Sequence, residues 1–208
     1  MKKGILITFE GIDGSGKTTQ INALIQRLQE AGMSYRLFRE PGGTEIGEKI
    51  RDILLDKKNE NMLNVTELLL YSASRYQLTV SEIIPALEAG NVVICDRFYD
   101  STTAYQGYGR GIDLEFIYRL NDIATNSVTP DKTFILDIDL EERRKRLGKK
   151  NLDRLERETL EFHRKVRMGF LEMAEQNPER FVVLDGNQAP DELSKKIWNV
   201  IKILKEIS

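Results

Sequence analysis

The residues whose types and spacing most plainly suit chemistry are Gly11-Ile12-Asp13-Gly14-Ser15-Gly16-Lys17-Thr18, in the pattern GxxxxGK(S/T). Glycines at these positions let a backbone curl until successive N–H groups face inward around an anion. A helix starting near Lys17 would add its positive dipole end. The Lys17 ammonium suits the β- and γ-phosphates of a nucleoside triphosphate, and the Thr18 hydroxyl suits Mg²⁺. Gly11, Ile12, Asp13, Gly14, Ser15, Gly16, Lys17, Thr18 and Thr19 are therefore the expected ATP-binding residues, with Thr18 and Asp96 as oxygen donors to the metal. The pattern follows an apolar run and opens a helical one, which is the placement an anion cradle needs.

A second group of cations points to a second anion. Arg97 directly follows Val92-Val93-Ile94-Cys95-Asp96, at a strand end close to the phosphate loop. A forked guanidinium there suits a second, phosphorylated substrate. Arg39 closes another short run, and Arg75 lies on a long helical pattern. Arg143, Arg144, Arg146, Lys149, Lys150 and Arg154 form a basic cluster interrupted by Gly148. Such a cluster is commonly a solvated helix face; here it reads as a mobile basic lid over the site. An Asn-Lys-x-Asp guanine-reading motif is missing, which argues against a GTPase switch. The strand ending in Asp96-Arg97, rather than Asp-Glu or Asp-Asp, argues against an ATP-driven machine. A small-molecule kinase remains.

Five short runs must position these groups: Ile5–Glu10, Tyr35–Arg39, Val92–Asp96, Thr133–Asp137 and Phe181–Asp185. Most are continuously apolar, as in a parallel sheet covered on both faces. Four end on an acidic residue and one on Arg39, and ligands of open α/β sheets bind at such carboxyl ends. Helical patterns lie between them: Lys17 to Ala31, Glu45 to Leu55, Leu63 to about Ala89 with Pro85 kinking or restarting it, and Leu114 to Thr125. A stripe of Leu152, Leu155, Thr159, Phe162, Val166, Phe170 and Met173 reads as one long helix, and Leu193 to Leu204 as a terminal one. The expected fold is α/β: a P-loop NTPase three-layer sandwich, its five-stranded parallel sheet flanked by helices on both faces. A single domain covers 1–208, with the lid at approximately 141–155.

The 208 residues carry 31 basic and 33 acidic side chains, for a net charge of −2. So balanced a chain is a poor general binder of nucleic acid or anionic lipid, and phosphate must be held by local cations and backbone amides. No apolar run is long enough to span a bilayer, and the opening residues lack a secretory h-region. A cytoplasmic location is expected. Cys95, the only cysteine, reads as a small buried hydrophobe. His163, the only histidine, reads as a surface or boundary residue without a catalytic role.

With these blocks assembled, the sequence resembles the thymidylate kinase family. The resemblance rests on Phe9-Glu10-Gly11 leading into the phosphate loop, Arg39-Glu40-Pro41-Gly42-Gly43-Thr44, and Tyr71-Ser72-Ala73-Ser74-Arg75. It continues through Asp96-Arg97-Phe98, Ala104-Tyr105-Gln106-Gly107 and Leu152-Asp153-Arg154-Leu155-Glu156. The blocks keep family order from Ile5 to about Phe181.

The resemblance implies phosphorylation of thymidine 5′-monophosphate by ATP with Mg²⁺, in a homodimer packed through helices. Asp13 would face the sugar 3′-hydroxyl and help place the metal. Arg39 and Arg97 would hold the acceptor phosphate, Tyr71 would stack on thymine, and Arg75 would donate to O4. Thr102 and Gln106 would read the base edge, and Tyr105 would close on the sugar. Lys17, Arg97, Arg146, Lys149 and Lys150 are the expected catalytic cations. Phe98 stands where the family commonly has Tyr, so packing is expected there. Asp100 also departs from the family pattern, and sequence alone gives no account of it.

The main rival is another P-loop kinase, acting on a deoxynucleoside or a different monophosphate. A nucleoside acceptor would need a carboxylate base, for which Glu10 is the candidate. A non-catalytic ATP-binding regulatory domain is the rival from outside enzymology.

Overall fold

A computed structural model describes residues 4–148 and 152–207. Lys149 and Lys150, two of the expected lid cations, lie outside the described residues. The sheet has five parallel strands: β1 (Ile5–Glu10), β2 (Tyr35–Arg39), β3 (Val92–Asp96), β4 (Lys132–Asp137) and β5 (Phe181–Asp185), in the order β2-β3-β1-β4-β5. β1 lies between β3 and β4, with Phe9 opposite both Asp96 and Phe134. The phosphate loop thus leaves the sheet where strand order reverses, and Arg97 leaves the neighbouring strand at the same height.

Alternate side chains of each strand feed different cores. Ile5, Ile7 and Phe9 pack with Ile94, Phe134 and Leu136 against helix α1 (Lys17–Glu30) and the C-terminal helix Pro190–Ile207. On the other face, Leu6, Val93 and Cys95 pack under Leu78, Ile83 and Phe98. Beneath β4 and β5, Ile135 and Phe181 meet Phe162, Val166, Phe170 and Met173. Both faces are covered, which accounts for the unbroken apolar runs.

Glu45–Leu55 forms α2, capped by the Thr44 hydroxyl accepting from Gly47 N–H. Asn64–Leu78 forms α3. Pro85 has no N–H to give the preceding turn. The chain answers with a π-helical stretch, Thr79–Ile83, before α4 (Ile84–Glu88) resumes. A short helix α5 (Tyr99–Thr102) widens into a second π-helical stretch, Thr103–Gly109, followed by α6 (Leu114–Ala124). Wide turns of this kind recur at functional sites, and this one carries Tyr105 and Gln106.

Two helical expectations change. The basic cluster contains a helix, α7 (Leu140–Leu147), capped by Asp139. Glu141 and Glu142 fill its first turn and Arg144 to Arg146 its last, matching the dipole. The long stripe does not run as one helix. Helix α8 spans Leu160–Gln176, started by Thr159 accepting from Phe162 N–H at 3.1 Å. Leu155 still joins the same apolar cluster, but from a turn. The C-terminal helix, α9 (Pro190–Ile207), begins three residues before Leu193, the first residue of its apolar stripe.

Candidate active site

The loop between β1 and α1 folds on glycine. Gly11, Gly14 and Gly16 all have positive φ. A Cβ on Gly11 would also overlap the Leu136 carbonyl oxygen. The buried Lys17 ammonium donates to the Gly11 and Ile12 carbonyls at 3.0 and 3.2 Å. Burial and the Arg97 charge push Lys17 down to about 8, against the attraction of Asp13, Asp96 and Glu10. The Ile12 side chain packs with Ile135 and Leu155 in the core, so its contribution to an anion site is backbone alone.

Arg97 has φ 70, a left-handed conformation that costs about 1–3 kcal/mol for a non-glycine residue. Its surroundings hold it there. Phe98 N–H donates to Glu10 Oε1 at 2.7 Å, and Ser101 Oγ donates to Glu10 Oε2 at 2.6 Å. The guanidinium donates to Asp13 Oδ1 at 2.6 Å, the Gly11 carbonyl at 3.0 Å and Ser101 Oγ at 3.2 Å. Its carbon lies 5.2 Å from the Tyr105 ring centroid. Burial raises the Asp13 carboxyl, but Arg97 and Lys17 outweigh it and hold the group well below the usual carboxylate range. Glu10 is fully buried; burial and Asp100 push it up to about 7 against Arg97, Ser101 and Phe98. With both oxygens occupied by loop donors, Glu10 is a brace for Arg97 and is poorly placed to act as a base.

The next layer is a polar pocket. Arg75 is fully buried yet borders the cavity. It donates to Glu40 at 2.7 Å, Thr102 Oγ1 at 2.8 Å and the Phe98 carbonyl at 3.3 Å. Burial raises the Glu40 carboxyl despite Arg75. Gln106 Nε2 donates to buried Glu67 at 2.9 Å. Arg39 is half-exposed and paired with Glu48 at 2.9 Å.

From α7, Arg146 reaches across the phosphate loop. It donates to the Gly14 carbonyl at 3.3 Å, the Gly186 carbonyl at 3.0 Å and Glu142 at 2.7 Å. The cluster therefore divides. Arg144 and Lys145 face solvent, Arg146 faces the site, and Arg143 and Arg154 are buried struts. Arg154 joins the Leu54 carbonyl to Glu67.

One cavity of about 510 Å³ gathers these groups at the carboxyl ends of β1, β2 and β3. Asp13, Gly14 and Gly16 through Thr19 line it from the loop; Asp96 and Arg97 line it from β3. Arg39, Tyr71, Arg75, Thr102, Tyr105, Gln106 and Arg146 complete the expected set. Gly11, Ile12 and Ser15 lie behind the loop rather than on the cavity wall. Thr18 and Asp96 share the cavity and offer oxygen donors; a cation that keeps most of its ligands as water and phosphate asks for few from the protein, so these residues fit Mg²⁺.

The profile of the thymidylate kinase family matches residues 9–197. A thymidylate kinase from Thermoanaerobacter sp. (strain X514) is 50% identical over 200 residues, covering 96% of this chain and 98% of its own. One from Sulfurihydrogenibium sp. (strain YO3AOP1) is 49% identical over 199 residues, covering 96% and 97%. The crystal structure of thymidylate kinase from Ehrlichia chaffeensis superposes with a TM-score of 0.80 at 38% identity, covering 96% and 99%. The chain belongs to the thymidylate kinase family.

Several residues in and around this cavity were not recognisable from the sequence. Arg51 lines the cavity beside Arg39 and donates to the Pro41 carbonyl at 2.9 Å. Only its position on α2, one residue after the apolar Ile50, could have hinted at it. Ser101 and Glu67 carry no motif and are recognised only by their partners. Asp100 now has an account: it is buried and paired with Arg180 at 2.6 Å, with Thr133 Oγ1 donating to it at 3.2 Å. Phe98 is fully buried in the apolar cluster, as a ring without a hydroxyl should be. His163 corrects the expectation of a surface position. It is fully buried, and neither ring nitrogen has a partner among the described residues.

Proposed function

We propose that the cavity seats both substrates of an in-line phosphoryl transfer, with ATP phosphates on the Gly11–Thr18 loop and the acceptor across the ends of β1 to β3. The reaction is phosphorylation of thymidine 5′-monophosphate by ATP, giving thymidine 5′-diphosphate for DNA precursor synthesis. The observation that carries the residue assignment is the placement of Arg97. It is held against Asp13 of the phosphate loop, in the same cavity as Lys17, Arg75 and Gln106.

The nucleophile, a phosphate oxygen, is already anionic, so no general base is required and none is assigned. Catalysis reduces to positioning and to neutralising charge brought close together. Arg97 and Arg39 offset repulsion at the acceptor phosphate. Lys17 exchanges its loop carbonyls for phosphate oxygens. Arg146, spanning the phosphate loop and Gly186, follows charge as it builds toward the β–γ bridge. Lys149 and Lys150, which follow Gly148 in sequence, would add further positive charge. Thr18 and Asp96 would hold Mg²⁺, which supplies further charge neutralisation when bound. Tyr71 offers a ring to the base, Arg75 and Thr102 a polar edge, and Tyr105 a wall against the sugar.

Binding tests the seat directly. Titration calorimetry should show thymidine monophosphate binding far more tightly than thymidine, and Arg97→Ala should erase most of that difference. Equal loss of affinity for both ligands would place the phosphate elsewhere.

We further propose a homodimer in the cytoplasm. Ile46 and Ile53 on α2, Leu63 before α3, Val65, Leu69 and Tyr76 on α3, and Phe116 and Ile123 on α6 are exposed apolar side chains on helices that pack side by side. Ile83, Ala86 and Leu87, further along, are buried in the core instead. No described helix is long and apolar enough to cross a membrane. Light scattering should give twice the chain mass; a monomer at micromolar concentration would contradict the dimer.

A further inference from the structure

Glu67 stands in the first turn of α3, outside every motif noted above, and is 1% exposed. Two donors and a further cation converge on it: Gln106 Nε2 donates at 2.9 Å and Arg110 at 3.1 and 3.2 Å, and Arg154 is paired with it by charge at 2.6 Å. Burial pushes its carboxyl up, but the hydrogen bonds from Arg110 and Gln106 and the charges of Arg110 and Arg154 outweigh burial and bring it down. The group is thus a carboxylate, and a carboxylate only accepts. A glutamine beside it must present nitrogen. The Gln106 carbonyl oxygen, without a partner among the described residues, is then the end left for the cavity that Gln106 lines.

This orientation has a chemical meaning. Thymine shows an N3–H donor and an O4 acceptor along one edge, whereas cytosine shows an N3 acceptor and an N4–H₂ donor. A carbonyl oxygen from Gln106 accepts from N3–H, while Arg75 donates toward O4. Against cytosine both contacts become mismatched, donor facing donor and acceptor facing acceptor, and buried mismatches of this kind are heavily penalised.

We propose that Glu67 is a specificity-determining positioning residue, which fixes the Gln106 amide so that the pocket accepts an imide edge and rejects an amidine-like one. The inference rests on Gln106 meeting the base edge, as assigned above. Arg110 and Arg154 keep Glu67 charged and in place; Arg110 is itself paired with Glu158 at 2.6 Å and lies 4.7 Å from the Phe162 ring centroid.

The test compares kcat/KM for the monophosphates of thymidine, deoxyuridine and deoxycytidine. In Glu67→Gln the neighbouring amide accommodates either orientation of Gln106. The thymidine-to-deoxycytidine ratio should fall by at least tenfold, while the thymidine-to-deoxyuridine ratio, set by the methyl group, should stay within twofold. An unchanged first ratio, or an equal fall in both, overturns the proposal. Gln106→Leu is run alongside. If it lowers the first ratio and Glu67→Gln does not, the inference alone fails; if it too leaves the ratio unchanged, the placement of Gln106 on the base edge fails. Should Glu67→Gln not fold, Glu67→Asp keeps the charge for Arg110 and Arg154 but withdraws from Gln106, and the same ratio decides. On the unaltered protein, the Gln106 side-chain amide protons, assigned by their loss in Gln106→Leu, should exchange slowly with solvent without nucleotide; fast exchange overturns the proposal.

Discussion

The Arg97 guanidinium donates to Asp13 Oδ1 at 2.6 Å, tying the end of β3 to the phosphate loop that follows β1. In the proposed function, the two substrates' phosphates meet across this joint. Replacing Arg97 by Ala should lower kcat/KM for thymidine monophosphate by roughly 10²–10³-fold. Lysine should recover only part of the loss, because it brings a charge without the fork. Steady-state kinetics with circular dichroism checks this; full recovery by lysine would mean that Arg97 supplies charge alone.

The Lys17 ammonium donates to two carbonyls of the phosphate loop, and its loss should act on chemistry. Lys17→Met should keep the fold and lower kcat by roughly 10²-fold or more, since removal of one transition-state contact has that scale. Single-turnover rates separate this from weaker binding; a change confined to KM would assign Lys17 to docking.

Buried His163 should make stability depend on pH. Burial and the Arg143 charge bring its pKa down to about 4, against an ordinary value near 6.5. Between these values the unfolded chain binds more protons than the folded one, so stability rises with pH. The full stability is present above about 6.5 and declines as pH falls toward 4, by up to about 3 kcal/mol. Carboxylates add their own acid losses, so the measurement is a difference. Urea unfolding of His163→Leu should lose less between pH 7.5 and 5 than the unaltered protein; identical losses would contradict the reading.

The Asp100–Arg180 pair should be a matter of stability rather than catalysis. Asp100 is buried but Arg180 only partly so, so removing one partner should cost less than the about 3–5 kcal/mol of a fully buried pair. Asp100→Asn should therefore lower Tm, and adding Arg180→Met should restore part of it. No restoration would show that the two act independently.

Much of this fold could be read from the chain because its physics is local. Apolar runs bounded by charge gave five strands, and the glycine spacing gave the anion loop in place. Arg97, Arg75 and Gln106 were legible through blocks that recur in order along a family. Glu10, Ser101, Glu67 and Arg180 were not legible as partners, because each acts through a contact far away in sequence: Glu10 with Phe98, Glu67 with Arg154, Arg180 with Asp100. The stripe from Leu152 to Met173 misled for a related reason. Leu155 is core, but it reaches the core from a turn, and helical spacing cannot tell the two apart.

A second, thymine-bearing phosphate must be present before the γ-phosphoryl group moves. A coupled ADP-release assay across nucleoside monophosphates, with thymidine and water as acceptor controls, tests it most directly. ADP should appear quickly with thymidine monophosphate, several-fold or more slowly with other monophosphates, and almost not at all with thymidine or water. ADP release at one rate whichever acceptor is supplied would contradict it.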